Sequence, residues 1–225
     1  MNRKIVFTEG EYYHIYNRGV EKREIFLSAE DYRRFHRLLF FANGVKPVVY
    51  KRVQGLTSDR AQEDEFCSIG AYVLMPNHFH LLVRARDDVG ITEFMRKITT
   101  GYTMYFNKKN ERTGHLFEGA FKAEHVDRDE YLKYLFAYIH LNPVKLIDSS
   151  WKENGIGDPV RAKKYLENFT HSSYLDWMGS SREERNILSV GEFPEYFGNA
   201  EEFDVYINDW LTVQGLTLDK ETEKI

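Results

Sequence analysis

The sequence lacks the features that mark secreted, membrane or disordered proteins. It contains one cysteine, Cys67, so an internal disulfide is excluded and a reducing compartment is favoured. No run of roughly eighteen apolar residues is present, which argues against a transmembrane helix, and residues 1–5 lack the apolar stretch of a signal peptide. The hydrophobic content of 42% and charged content of 29% are typical of a globular chain with a real core. We expect a cytoplasmic protein with no membrane partner.

The chain also lacks an excess of positive charge, since its formal net charge is −4. This value alone argues against a nucleic-acid partner, but the charge is unevenly distributed. Residues 176–225 hold 12 acidic and 4 basic residues, whereas residues 1–175 hold 23 acidic and 27 basic residues. Such asymmetry is typical of a basic working domain with an acidic appendage. We place the core at 1–147 and an acidic, mostly helical extension at 148–225.

What the sequence does contain is a short histidine-bearing strand pattern at residues 75–86, where polar and apolar residues alternate. In a strand, residues two apart share a face. One face would carry His78, His80, Leu82, Arg84 and Arg86, and the other, a core face, would carry Phe79, Leu81, Val83 and Ala85. Two imidazoles and two guanidinium groups on a surface suit a metal ion beside a phosphate. The alternative is an exposed strand that merely happens to carry histidine.

The remaining periodicities predict a strand at 11–19 and a helix that begins after Ser28 and ends near 43–44. A buried strand at 66–75 is expected to form a hairpin with the histidine strand, followed by a helix at 91–108. Weaker patterns indicate strands at 48–50 and within 114–126, and a last helix ends at 141 or 142. This order predicts an α+β fold with a ferredoxin-like antiparallel sheet and helices packed on it.

The last helix carries two stripes at helical spacing. A core stripe consists of Leu132, Leu135, Phe136 and Ile139, and a second stripe, expected to border the core without being buried, consists of Tyr131, Tyr134, Tyr138 and Asn142. A tyrosine stripe is usually amphipathic packing. If this helix crosses the histidine strand, however, the two imidazoles and the Asn142 carbonyl oxygen would form an open divalent-cation site. Tyr138 would then point at a bound phosphate, with Tyr134 as the fallback nucleophile.

Four ordered motifs resemble a known family. His78-Phe79-His80 and the segment 138–144 look like those of the single-tyrosine His-hydrophobe-His transposases, and with 13–19 and 114–117 they are most similar to the REP-associated tyrosine transposase branch. The resemblance implies cleavage and rejoining of single-stranded DNA beside a hairpin. It implies Tyr138 as the nucleophile of a 5′-phosphotyrosine link, His78 and His80 as ligands of Mg²⁺ or Mn²⁺, and Asn142 as the third ligand. It also implies a monomer or homodimer associated with a bacterial nucleoid.

Basic residues supply candidate DNA contacts, although a basic helix face is usually just solvated. The candidates are Arg18, Arg84, Arg86, Arg96, Lys97, Lys108, Lys109 and Lys122. Two departures from the family pattern, Glu118 where relatives commonly have Gln and Ala120 where they commonly have Arg, lower the positive charge near them. They leave open a domesticated protein that binds nucleic acid without cutting. A metal-dependent phosphodiesterase that uses water, with Tyr138 only structural, is a further alternative.

Overall fold

The computed structural model describes residues 5–45 and 65–212. Four strands form one antiparallel sheet in the spatial order β2-β3-β1-β4. They are β1 (Tyr12–Arg18), β2 (Cys67–Met75), β3 (His78–Ala85) and β4 (Lys122–Val126). This strand order confirms the ferredoxin-like prediction. The strand suggested at 48–50 lies outside the described residues, and the one suggested within 114–126 is confirmed as the five residues of β4.

The register explains which side chains meet on the sheet. The β2–β3 hairpin pairs Met75 with His78 across Pro76-Asn77, as the tight break between the two patterns predicted. Strand β1 pairs with β3 so that Tyr16 faces His80, and with β4 so that His14 faces Glu124. Because directly paired residues share a face, all of these polar side chains project from the same side of the sheet.

The opposite side of the sheet packs on helices α1 (Ala29–Phe41) and α2 (Gly90–Lys109). Its core includes the predicted residues Phe79, Leu81, Val83 and Ala85. Helix α1 begins after Ser28, as its sequence predicted. Ser28 and Asp31 form a capping box at this end of the helix. The helix ends at Phe41, two residues before the expected turn.

The histidine side of the sheet is covered by α3 (Asp129–Leu141) and by the C-terminal helices. The latter are α4 (Trp151–Asn154), α5 (Pro159–Asn168), α6 (Tyr174–Trp177) and α7 (Ala200–Thr212). The expectation that this strand face is a surface was therefore wrong, because His80 is fully buried. The reason is tertiary: α3 lies over β3, and Trp151 and Phe203 join the same apolar cluster.

The part of the chain after α4 is bound to the sheet through its backbone as well as its side chains. Ser172 forms an antiparallel bridge with Val73 of β2, and the backbone N–H of Leu74 donates to the carbonyl of His171. Among the described residues, no helix combines the length and the apolar character needed to cross a bilayer.

Candidate active site

The structure brings together the two histidines of β3 and the tyrosine of α3. The ring centroids of His80 and Tyr138 are 5.5 Å apart with perpendicular planes, and those of His78 and His80 are 5.1 Å apart. Helix α3 presents Tyr138 to this point because it crosses β2 and β3 with the second stripe directed at the imidazoles. The predicted juxtaposition of a helix-borne phenol and two strand-borne imidazoles is present in the fold.

Asn142, the residue that follows α3, completes a set of buried polar groups with unused bonding capacity. Its side chain approaches both His78 and Tyr138. Neither its amide oxygen nor its nitrogen forms a hydrogen bond of ordinary geometry with any described residue, and neither does Nε2 of His80. Buried polar atoms without partners are rare and call for an explanation. Two imidazole nitrogens and one amide oxygen fit an open divalent-cation site.

The described residues contain no cation site built from acidic side chains. Within residues 5–45 and 65–212, no group of three or more His, Cys, Asp or Glu side chains is arranged to hold an ion. A cation at this place would therefore depend on the Asn142 oxygen as its third protein ligand, together with oxygens from substrate or water.

The two histidines of β3 are held in the neutral form that ligation requires. Burial, together with the positive charges of Lys145 and Lys152, lowers the pKa of His78 to about 3. Burial also lowers the pKa of His80 well below its usual value, with a smaller contribution from His14. Each imidazole thus has an electron pair available near neutral pH.

Tyr138 is only 3% exposed, so the expectation that its stripe borders the core without being buried was wrong. Burial raises the pKa of Tyr138 to about 12. The ammonium of Lys152, in α4, donates a 3.0 Å hydrogen bond to the phenol oxygen and lies 4.4 Å from the ring centroid. A nearby cation favours the phenolate form that a tyrosine nucleophile needs. No sequence period linked Lys152 to Tyr138, since the contact spans two helices.

His14 contributes more to the site than its sequence context indicated. Its Nε2 lies 2.8 Å from Nδ1 of His80, and its Nδ1 lies 3.7 Å from Oε2 of Glu124. Alternation along β1 and β4 assigns His14 and Glu124 each to one face of its strand. Only the pairing register shows that these faces lie on the same side of the sheet as His80.

A cavity of about 480 Å³ opens beside His78, on the side away from the sheet core. Its lining includes the basic residues Arg18, Lys22 and Lys145 against one acidic residue, Glu24. Burial lowers the pKa of Lys145, and the neighbouring charge of Lys152 adds to the effect. Cations kept close together in this way attract an anion such as a phosphodiester. Lys22 and Lys145 were not among the sequence candidates.

Four of the predicted DNA-contacting residues lie in hydrogen-bonded ion pairs with carboxylates. Arg18 makes a bidentate pair with Glu118, with both N–O distances 3.0 Å. The other three pairs are Arg84 with Glu192 at 2.6 Å, Arg96 with Glu93 at 2.6 Å, and Lys109 with Asp31 at 2.7 Å. The Glu118 departure thus has a direct structural consequence, because it places an anion on Arg18.

The other four candidates have varied surroundings. Arg86 donates to the Ser68 hydroxyl and lies 3.7 Å from Glu192, and Lys97 donates to the carbonyl of Gly44. Lys108 is exposed on α2. Lys122 is exposed on the edge strand β4 with its ammonium 5.7 Å from the Tyr16 ring centroid. Their role in DNA contact stays a prediction.

Comparison with known proteins gives the chain a family context. Residues 42–142, somewhat under half of the chain, match the family model described as "Transposase IS200 like". A solved structure titled "Structure of the REP associates tyrosine transposase bound to a REP hairpin" is similar with a TM-score of 0.52 and 14% identity, over 89% of this chain and 93% of that one. The family model supports the assignment that the motifs predicted, and the similarity to the solved structure supports the fold.

A second solved structure is less similar to this chain. The tRNA(His) guanylyltransferase of Saccharomyces cerevisiae is 10% identical over 87% of this chain and 86% of that one, with a TM-score of 0.38. No curated protein matches the chain.

Proposed function

We propose that this chain, whose residues 42–142 match IS200-like transposases, cuts and rejoins single-stranded DNA with Tyr138 as the nucleophile. The observation that carries the proposal is the meeting of three features at one buried point. They are the Tyr138 phenol, the unpartnered Nε2 of His80 and the unpartnered amide of Asn142. A purely structural tyrosine stripe does not require orphaned ligand atoms beside it.

The reaction is a transesterification, so it needs no external energy source. The Tyr138 oxygen bonds to the phosphorus, the bond from phosphorus to the 3′-oxygen breaks, and the departing oxygen takes a proton to become a 3′-hydroxyl. The phenol loses its proton, and the tyrosine is left linked to the 5′-phosphate. Rejoining is the reverse attack by a 3′-hydroxyl, which releases the tyrosine.

The residues that would hold a divalent cation, Mg²⁺ or Mn²⁺, are His78, His80 and Asn142. When bound, the cation would supply Lewis-acid polarisation of a phosphoryl oxygen. Lys152 contributes independently, because its ammonium donates a hydrogen bond to the phenol oxygen, and a cation at that place favours the phenolate.

We propose a hairpin-bearing single strand as the DNA partner. Support comes from the solved structure of a REP-associated transposase, a protein that is itself bound to a REP hairpin. The basic cavity beside His78 gives the phosphates flanking the cut a place to lie, with Arg18 and Lys145 in its wall. We place the protein in the cytoplasm in association with a bacterial nucleoid, as a monomer or a homodimer.

The test is covalent capture. Incubation with hairpin-bearing single-stranded DNA and Mn²⁺ should give an SDS-resistant protein–DNA adduct, because the tyrosine link survives denaturation. Tyr138→Phe should abolish the adduct, since it removes only the attacking oxygen. Tyr134→Phe is the matched control: its ring lies 5.9 Å from that of Tyr138 on the same helix, and the adduct should persist.

Two outcomes would refute the assignment of Tyr138. An adduct that survives Tyr138→Phe identifies another nucleophile. The other outcome is cleavage with no adduct. If that cleavage survives Tyr138→Phe and disappears in His80→Ala, the protein is a phosphodiesterase that activates water.

One observation favours a second function, the binding of folded nucleic acid without cutting. The bidentate pair with Glu118 neutralises Arg18 next to the cavity, which weakens an interaction with DNA phosphates. Tight hairpin binding with no cleavage over a range of metals would support this function. If cleavage appears only in Glu118→Gln, the glutamate at position 118 is the cause of the lost activity.

A further inference from the structure

We propose that Glu124, by its charge, and His14, by its hydrogen bond to His80, act as a relay that sets the tautomer of His80, so that its Nε2 presents an electron pair to the cation. The inference deepens the proposed function, because it rests on a cation at His78, His80 and Asn142. It makes His14 and Glu124 positioning residues, since neither touches the reacting phosphate.

The relay is built from adjacent strands. Nε2 of His14 in β1 lies 2.8 Å from Nδ1 of His80 in β3, and the two rings are nearly parallel at 18° with centroids 5.0 Å apart. Both histidines are at most 1% exposed, so water does not compete for this contact. Strand β4 places a carboxylate oxygen of Glu124 3.7 Å from the other nitrogen of His14, within ion-pair range but longer than an ordinary hydrogen bond.

When both imidazoles are neutral, the contact between them holds one proton, and that proton has two arrangements. In the first, Nδ1–H of His80 donates to His14, which leaves an electron pair on Nε2 of His80 and a proton on Nδ1 of His14. In the second, His14 donates to His80, which puts a proton on Nε2 of His80 and an electron pair on Nδ1 of His14. Only the first arrangement leaves His80 able to bind a metal.

The charge on Glu124 selects the first arrangement. In that arrangement its carboxylate meets an N–H of His14, whereas in the second it meets an electron pair and is repelled. Burial acts to raise the pKa of Glu124, but contacts with His14 and Tyr16 outweigh it and the net pKa is lowered. The carboxylate is therefore ionised at neutral pH.

Two tyrosines hold the carboxylate in place. Tyr16 donates a 2.7 Å hydrogen bond to Oε1 of Glu124, and Tyr131 at the start of α3 donates a 3.3 Å bond to Oε2. Tyr16, Glu124, His14 and His80 form a series of contacts on one face of the sheet. The register that pairs His14 with Glu124 brings them together. Outer partners of this kind fix the orientation of a metal-binding histidine and tune its affinity.

The first experiment determines the tautomer directly in the full-length protein without metal. Long-range ¹H–¹⁵N NMR of the histidine side chains, with His80→Gln used to assign the resonances, should show His80 protonated at Nδ1. In Glu124→Gln the amide can accept or donate, so the preference should be lost and a mixture of tautomers should appear. A His80 ring protonated at Nε2 in the unaltered protein would overturn the proposal.

The second experiment measures the dissociation constant for Mn²⁺ by electron paramagnetic resonance. Glu124→Gln and His14→Phe should each weaken binding by about tenfold to a hundredfold. Glu11→Gln is the matched control, because it removes an exposed carboxylate that contacts another histidine, His125 of β4, at 2.9 Å outside the relay. Unchanged affinity in both relay variants would refute the relay.

The two proposals fail separately. If the relay variants alter the tautomer and the Mn²⁺ affinity but no covalent DNA adduct forms in the unaltered protein, the relay stands and the nuclease does not. If the adduct forms and the variants leave the tautomer and the affinity unchanged, the nuclease stands and the relay does not.

Discussion

At the scale of single residues, the least expected contact is that of Lys152 with Tyr138. A lysine from the C-terminal extension covers the phenol oxygen at 3.0 Å, so the side chain that shields the nucleophile is also its nearest cation. Lys152 is half-buried on a helix of four residues, and its ammonium is a point charge that would also attract an arriving phosphate. The same ammonium can then serve both the phenolate and the DNA.

We predict that Lys152→Met slows single-turnover cleavage by about tenfold to a hundredfold, because it removes a preorganised cation from the reacting oxygen. Lys152→Arg should keep most of the rate. The measurement is the rate of adduct formation on hairpin DNA with Mn²⁺. Faster cleavage in the methionine variant would instead show that the lysine side chain acts mainly as a cover.

At the scale of elements, Asp31 ties the first two helices together. Its carboxylate accepts hydrogen bonds from the backbone N–H groups of Leu27 and Ser28 at the start of α1, and from the Tyr105 hydroxyl and the Lys109 ammonium on α2. Burial acts to raise the pKa of Asp31, but the bonds from Lys109 and Tyr105 outweigh it and the net pKa is lowered. A carboxyl group with a lowered pKa stabilises the fold above its unfolded pKa, and that contribution is lost as the pH falls through its folded value.

Asp31→Asn should therefore lower the free energy of unfolding by about 1.5–3 kcal/mol at pH 7, the range for hydrogen bonds to a charged group. The difference from the unaltered protein should shrink at pH 3, because the contribution of a carboxyl group with a lowered pKa is progressively lost below the ordinary pKa of aspartate. Urea unfolding at the two pH values measures this. Glu30→Gln, an exposed partner of the same lysine, is the control and should change stability by less than about 1 kcal/mol at either pH. An equal loss for Asp31→Asn at both pH values would contradict the linkage.

At the scale of the whole molecule, the acidic C-terminal part is not a detached appendage. Glu192 pairs with Arg84 and lies near Arg86, so the extension neutralises basic residues of the core strand far from the histidines. The cavity beside His78 is lined by three basic residues and a single acidic one. A negative overall charge and a locally positive entrance therefore coexist.

Lys145→Gln should weaken hairpin binding and reduce the slope of log affinity against log salt by about one, because one phosphate contact is lost. Lys164→Gln, an exposed lysine on α5 outside the cavity, should leave the slope unchanged. Fluorescence anisotropy over a salt series measures both. Identical slopes for the Lys145 variant and the unaltered protein would remove the cavity from the DNA path.

Local patterns determined much of the fold. Alternation at residues 78–85 and the break at Pro76-Asn77 predicted β3 and the hairpin, because strand faces and tight turns depend on neighbours in sequence. The N-cap residue Ser28 predicted the start of α1, and the last helix ended where expected. The histidines, Tyr138 and Asn142 were identified as candidates for the same reason, since helical and strand periods assign each to a face.

Tertiary structure decided what those faces meet. Burial of the histidine face, the contact of His14 with His80, the position of Lys152 and the pairing of Arg18 with Glu118 all join residues 14 to 100 positions apart. Such contacts depend on strand register and on which helix covers which side of the sheet, and neither leaves a period in the sequence. The sequence alone therefore determined which residues point the same way, and only the packed sheet decided which of them touch.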